Sequence, residues 1–272
     1  MVSQEDVQRL AALVRDHQPC VVLTGAGMSA ASGIPTFRGV WDTEGYSAPD
    51  STESGIPDFR SAGGIWRQYD PMEYATIDAF LADPVKVWDF YGKRLAALAD
   101  AAPNAGHHAL AALERRGWVT AVVTQNVDGL HQRAGSRDVV EVHGSIRTAR
   151  CLDCGTTVSH ADALAALPLP SCPSCGRPLK PDVVMFGELL PEAAIGRAVR
   201  LASEARLLLV VGSSLEVYPV AGLPLETLGA GGRLAIVNRE PTQLDDDADL
   251  CIHAGAGETL AALEAALRER LE

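Results

Sequence analysis

Cys20-Val21-Val22-Leu23-Thr24-Gly25-Ala26-Gly27-Met28-Ser29 is the stretch on which the fold turns. Five apolar or β-branched residues run without a charged break, the pattern of a strand buried on both faces, and they stop at a glycine-rich turn. Upstream, Val7, Leu10, Leu13 and Val14 fall at helical spacing within 2–17, so an amphipathic helix precedes the strand. The same succession recurs along the chain. Strands are expected at 119–124, 139–142, 183–186, 207–212, 234–238 and 250–252, and helices at about 103–116, 191–205 and 257–271. Such alternation implies parallel strands joined by crossover helices, hence an α/β fold with a doubly wound sheet. Ligands of such sheets bind beyond the carboxyl ends of the strands.

Those ends carry the unusual residues. Gly25, Ala26 and Gly27 let the backbone approach a pyrophosphate at a helix N-terminus. The usual third glycine is missing, and a tight strand-to-helix turn would look the same. Gly212-Ser213-Ser214 and Asn238-Arg239-Glu240 close two later strands and add small donors and a carboxylate able to hold ribose hydroxyls, which favours a dinucleotide. Gln125-Asn126-Val127-Asp128 follows another strand. Asp128 alone reads as a helix N-cap, which leaves Gln125 and Asn126 unexplained. His143-Gly144 closes a further strand, where a neutral imidazole suits a general base near pH 7, although a lone histidine there is more often only hydrogen-bonded.

Cys151/Cys154 and Cys172/Cys175 are two Cys-x-x-Cys pairs separated by seventeen residues. That spacing brings four thiolates to one tetrahedral zinc with no open coordination position, so the metal is expected to hold structure and not to activate water. Redox or disulfide pairs are the alternative, and the N-terminal residues, which lack a basic and then apolar leader pattern, argue against an oxidising destination. Cys20 and Cys251 lie in apolar runs and read as buried small hydrophobes.

The chain has 272 residues and a net charge of −12, which allows one large domain or a large and a small one and disfavours direct binding of nucleic acid or an anionic membrane. No apolar run is long enough to span a bilayer, and a cytoplasmic location is expected.

With these residues in view, the chain resembles the sirtuin family of NAD-dependent protein deacylases, bacterial type, along nearly its full length. The likeness rests on Gly25 to Ser29 with Ser32-Gly33-Ile34-Pro35-Thr36-Phe37-Arg38, on Thr124-Gln125-Asn126-Val127-Asp128-Gly129-Leu130-His131, and on Val142-His143-Gly144 and both cysteine pairs. It continues through Pro181-Asp182-Val183-Val184-Met185-Phe186-Gly187-Glu188, Gly212-Ser213-Ser214-Leu215-Glu216-Val217-Tyr218-Pro219 and Val237-Asn238. The resemblance implies a Rossmann-like NAD-binding domain at 1–33, 104–144 and 181–272, a zinc-ribbon module at 145–180, and a cofactor loop with a helical module at 34–103. NAD and zinc are the implied cofactors, and acyl-lysine proteins the implied partners.

The resemblance also implies the roles. The acyl oxygen attacks the nicotinamide ribose and nicotinamide leaves; His143 takes a proton from a ribose hydroxyl, and water then frees lysine and acyl-ADP-ribose. Asn126 and Asp128 position the ribose and the nicotinamide amide, and Gln125 holds ribose hydroxyls. Ala26, Phe37 and Arg38 line the reactive side, and Gly212, Ser213, Ser214 and Asn238, with Arg239 and Glu240, take the phosphates and adenosine. Val184, Met185, Phe186, Gly187 and Glu188 pair with the substrate backbone as an added strand. Mono-ADP-ribosyl transfer to a protein, or NAD binding without catalysis, are the alternative functions.

Two features depart from, or refine, that pattern. Gly33-Ile34-Pro35-Thr36-Phe37-Arg38 recurs twenty-two positions later as Gly55-Ile56-Pro57-Asp58-Phe59-Arg60, whereas the family carries one copy. The short path from Gly27 favours Phe37 and Arg38 at the cofactor, with 40–50 an inserted loop; Phe59 and Arg60 are the alternative. Tyr91-Gly92-Lys93-Arg94 has the Tyr-x-x-Arg form of sirtuins that remove succinyl or malonyl groups, and on a helix Tyr91 and Arg94 share a face on which both can grip a carboxylate. An ordinary amphipathic helix carries the same pair.

Overall fold

Runs of apolar residues set the central strands of the computed structural model, which describes residues 2–34, 70–99 and 101–268, without the side chains at 71 and 93–99. Phe37, Arg38, Phe59, Arg60, the expected loop at 40–50 and the side chain of Arg94 lie outside the described residues.

In chain order come α1 (Gln4–Asp16), β1 (Cys20–Thr24), α2 (Pro71–Tyr74), α3 (Ile77–Ala82), α4 (Pro84–Ala99), α5 (Ala105–Arg115), β2 (Ala121–Thr124), α6 (Leu130–Ala134) and β3 (Val139–Glu141). Then follow β4 (Gly144–Cys151), β5 (Thr157–Ser159), α7 (His160–Ala165), β6 (Leu179–Val183), α8 (Glu192–Glu204), β7 (Leu207–Val211), α9 (Leu223–Gly229), β8 (Arg233–Val237), β9 (Leu250–Ile252) and α10 (Ala256–Arg268).

Six strands form one parallel sheet in the order β3-β2-β1-β7-β8-β9. β1 and β7 are buried at every position, as strands covered on both faces must be. Successive side chains point to opposite faces, so Val22, Val122 and Leu209 pack with Leu10, Leu110, Leu113 and Leu260 on one side. Val21, Leu23, Val123 and Leu208 pack with Ala198, Ala202 and Leu223 on the other. The chain runs outward from β1 through β2 to β3 and returns to β7 on the opposite side of β1, which makes the β1/β7 junction the switch point where such sheets bind ligands.

A second sheet, antiparallel, has the order β5-β4-β6. Trp88 on α4, together with Phe80, Ile146, Leu179 and Met185, forms its core, and the Trp88 indole N–H donates to Leu179 O at 2.6 Å. Here the structure corrects the sequence reading. The strand expected at 183–186 lies at Leu179–Val183, and the boundary expected between 180 and 181 falls inside it. Lys180-Pro181-Asp182 resembles a turn in sequence, but Pro181 sits beside the register irregularity between Gly144 and Ala149, where a missing N–H is tolerated. Past Val183, Phe186 makes an isolated bridge with Thr76.

Candidate active site

The tips of β1 and β7 touch because three residues there lack a Cβ. Gly25 N donates to Val211 O (3.1 Å) and Gly27 N to Gly212 O (2.9 Å). A Cβ on Gly25 would stand 2.7 Å from Gly212 O, and one on Gly212, at φ +62°, 2.4 Å from Met28 N. The glycines therefore close the cradle, and their N–H groups are spent doing so. The backbone N–H groups of Ala26, Ser213 and Ser214 have no partner among the described residues, so these are donors left for an anion. This glycine cradle, with donors at a switch point, fits a dinucleotide.

Polar side chains from three strand ends meet over the cradle. Asn126 donates through Nδ2 to Gly25 O (3.0 Å) and Ser29 Oγ (3.1 Å), which leaves its amide oxygen without a partner among the described residues. Ser29 Oγ donates to Asp128 Oδ2 at 2.7 Å. Asp128 is 7% exposed, and burial pushes its carboxyl up from its ordinary range. Its Oδ1 accepts from Leu130 N at 2.9 Å, so Asp128 both steadies the start of α6 and joins the cluster. Gln125 Nε2 donates to Ser213 Oγ at 2.8 Å, tying the β2 tip to the β7 tip across β1.

His143 bonds through Nδ1 to Gln125 O at 3.0 Å. A carbonyl only accepts, so Nδ1 carries the proton and Nε2 is left as the base. Burial lowers the imidazole pKa from 6.5, with the Gln125 carbonyl acting the other way. The ring is neutral at pH 7.

Asn238 is buried and donates through Nδ2 to Glu240 O at 2.8 Å. Beside it a cleft of about 410 Å³ is lined by Ala31, Arg239, His253 and Glu258, among others, at the ends of β8 and β9. Its volume lies in the range of small-molecule pockets.

Beneath Asn126 lies a layer that the sequence does not mark. Thr124 Oγ1 accepts from Asn126 N (3.0 Å) and from Thr24 Oγ1 (2.8 Å), and Thr24 Oγ1 also meets His131 Nε2 at 3.0 Å. Asn104 caps α5 and donates through Nδ2 to Met28 O and Ser32 Oγ. Ser29, Thr24 and Thr124 stand in or beside the strand-end motifs, and Asn104 falls in the first residues of the helix expected at about 103–116. Their partners lie about 70 to 107 positions away, so spacing along the chain carries no trace of them.

The four cysteine sulfurs lie within 4.8 Å of one another, with Cys151–Cys175 and Cys154–Cys172 at 3.5 Å. Zinc–sulfur bonds of about 2.3 Å place tetrahedral sulfurs about 3.8 Å apart, so the donor set fits zinc. Each pair sits in a matching turn: Gly155 N donates to Cys151 O and Gly176 N to Cys172 O, with both glycines at φ +73°.

Val184 N donates to His143 O (2.9 Å), Phe186 N to Ala75 O (2.9 Å), and Ile77 N to Phe186 O (3.0 Å). Tyr91 packs into the core of the second sheet, together with Val127 of the Gln125–Asp128 stretch, with its ring edge-on to Phe90 at 5.2 Å.

Comparison with known proteins agrees with this geometry. The Sir2 family pattern matches residues 47–219. An NAD-dependent protein deacylase of Pyrobaculum aerophilum is 45% identical over 262 residues, covering 96% of each chain. A solved Sir2 homolog–NAD complex superposes with a TM-score of 0.84 at 39% identity, covering 97% of this chain and 95% of the other. A Sir2 structure holding a deacetylated p53 peptide and 3′-O-acetyl ADP-ribose gives 0.81 at 35% identity, covering 96% and 98%.

Proposed function

The chain belongs to the Sir2 family, and from that premise we propose that it removes acyl groups from protein lysines, consuming NAD and water and yielding lysine, nicotinamide and O-acyl-ADP-ribose. The observation that carries the reading is the Asn126–Ser29–Asp128 cluster set on Gly25 at a cradle built from Gly25, Gly27 and Gly212, with the His143 ring aimed by the carbonyl of the adjoining Gln125. NAD supplies the activated ribose and the leaving nicotinamide.

The chain's own residues hold and deprotonate. Ser213 and Ser214 offer N–H donors to phosphate. Arg239 lines the cleft at the ends of β8 and β9, which suits the adenosine half, and Asn238 stands next to it in the chain, tied to Glu240 O. Asn126, fixed through its Nδ2, presents its amide oxygen, and Asp128 is steadied by Ser29. His143 Nε2 takes the proton of a ribose hydroxyl, its ring aimed by the Gln125 carbonyl. Cys151, Cys154, Cys172 and Cys175 hold zinc as a scaffold, since four thiolates close its coordination shell. Two Cys-x-x-Cys pairs given to a metal suit a reducing compartment, which supports a cytoplasmic location. No described helix is long and apolar enough to cross a membrane.

The two copies of the Gly-Ile-Pro-x-Phe-Arg element compete for one place at the cofactor. The family match begins at residue 47 and so takes in Phe59 and Arg60 but not Phe37 and Arg38. The match favours the second copy, whereas the short path from Gly27, which the match also leaves out, favours the first. NAD affinity of Arg38→Ala against Arg60→Ala separates the copies: a selective loss in Arg60→Ala supports the second, a selective loss in Arg38→Ala the first.

The deciding experiment incubates the full chain with NAD and an acetyl-lysine peptide. Nicotinamide and O-acetyl-ADP-ribose formed in equal amounts, and only with acylated peptide, are expected. Nicotinamide release with ADP-ribose left on protein would move the assignment to transfer; no release would leave a binding protein. Succinyl- and acetyl-lysine turnover by wild type and Arg94→Ala reads the acyl preference, and faster deacetylation untouched by Arg94→Ala would set aside an acidic-acyl pocket.

A further inference from the structure

Lys180 is buried on β6, and its ammonium has three protons to place. Three acceptors receive them: Pro181 O at 2.9 Å, Val183 O at 2.6 Å and Glu188 Oε2 at 2.9 Å. The same Glu188 oxygen accepts from Met185 N at 2.8 Å, and Glu188 N donates to Met185 O at 3.0 Å across the left-handed turn at Gly187, φ +87°. One buried ammonium thus ties together the two ends of 183–188, Val183 O and the Glu188 carboxylate.

That closure decides which backbone groups the segment has left to offer. Val184 N is taken by His143 O, both groups of Met185 by Glu188, and both groups of Phe186 by Ala75 and Ile77. Val184 O and Gly187 N–H have no partner among the described residues. An added strand would meet those two groups, with the side chains of Phe186 and Leu189 exposed beside them.

We propose that Lys180 and Glu188 are positioning residues for the acyl-lysine peptide: their ion pair shapes 183–188 into the edge that receives the substrate backbone, and Glu188 does so from within without pairing with the substrate itself. The inference rests on the deacylase reading. A purely structural ion pair, if lost, would loosen the fold and affect both substrates alike. A positioning pair acts on the peptide side, because the cradle for NAD is built from other strands.

The test uses the full chain as wild type, Lys180→Met, Glu188→Ala and Glu188→Gln, with acetyl-lysine peptide and NAD varied in turn and cooperative melting checked for each. Loss of one partner strands buried carbonyls or an amide, so Lys180→Met and Glu188→Ala are expected to raise the peptide KM about tenfold or more while the KM for NAD stays within about twofold. Glu188→Gln keeps an acceptor for Met185 N–H and should recover much of the loss. If Lys180→Met fails to fold, the two Glu188 variants carry the comparison. An unchanged peptide KM in folded variants, or both KM values rising together, overturns the inference alone. A wild type with no acyl-peptide turnover overturns the deacylase reading and this inference with it.

Discussion

The single proton on His143 Nδ1 sets how the site titrates. Gln125 O holds that proton, and burial disfavours a second one, so the neutral base persists to lower pH than for a free histidine. Activity should rise with pH along an acid limb whose midpoint lies below 6.5, read from kcat/KM against pH; a midpoint above 6.5 would contradict the assigned tautomer and burial. His143→Ala should lower turnover by about 10²- to 10⁴-fold while NAD binding persists, since a general base contributes to the transition state more than to binding. One layer down, Thr24 Oγ1 supports Thr124, which accepts the Asn126 N–H. Thr24→Val keeps the volume and removes the hydroxyl, and should cut kcat by roughly tenfold, with Thr24→Ser restoring most of it. A Thr24→Ser enzyme as impaired as Thr24→Val would point to packing instead. Gln125, Asn126, Asp128 and His143 were legible in the chain because polar residues at strand ends need a reason. Thr24, Thr124 and Lys180 were not, because nothing near them in sequence names the partner.

Among elements, the strand tips depend on missing side chains. Gly212→Ala would place a methyl 2.4 Å from Met28 N at φ +62°, so it should destabilise the protein by about 1–3 kcal/mol or more and weaken NAD binding. Urea melts and NAD titration check both, and wild-type behaviour in the Gly212→Ala variant would show that the β1/β7 contact relaxes freely. The second sheet depends on its thiolates. Chelation of zinc, or Cys172→Ser, should release metal and loosen β4, β5 and β6, while the parallel sheet, with its own two cores, keeps its helical signal. Zinc release with no change in hydrogen exchange over 144–183 would overturn this. The strand expected at 183–186 shows what sequence conceals at this scale: a buried lysine and a proline masked β6, since both are poor strand signals unless their charge and missing N–H are dealt with by neighbours.

Across the whole molecule, burial of ionisable rings makes stability depend on pH. His107 and His131 pack ring to ring at 4.9 Å beneath the cradle, and burial pushes their pKa values from 6.5 down to about 3 and about 4. The unfolded chain therefore binds more protons than the folded one below pH 6.5. The stability present above that value should be lost as pH falls, by up to about 1.4 kcal/mol per pH unit for each ring. Urea midpoints should drop between about pH 7.5 and about pH 5, and His131→Phe should flatten the fall; a slope equal to wild type would place its origin elsewhere. By itself the sequence determined the alternation of buried strands and helices, the glycine turn, the polar strand ends and the paired cysteines, because hydrophobic period and local backbone need are written residue by residue. Only the tertiary structure decided that Gly25 and Gly27 spend their N–H groups on the β7 tip, that β6 belongs to the second sheet, and that Lys180 and Glu188 clamp the segment beside His143. Those outcomes follow from which distant atoms can satisfy a buried charge or fill a missing Cβ, and such pairings form only once the sheet has brought the strand ends together.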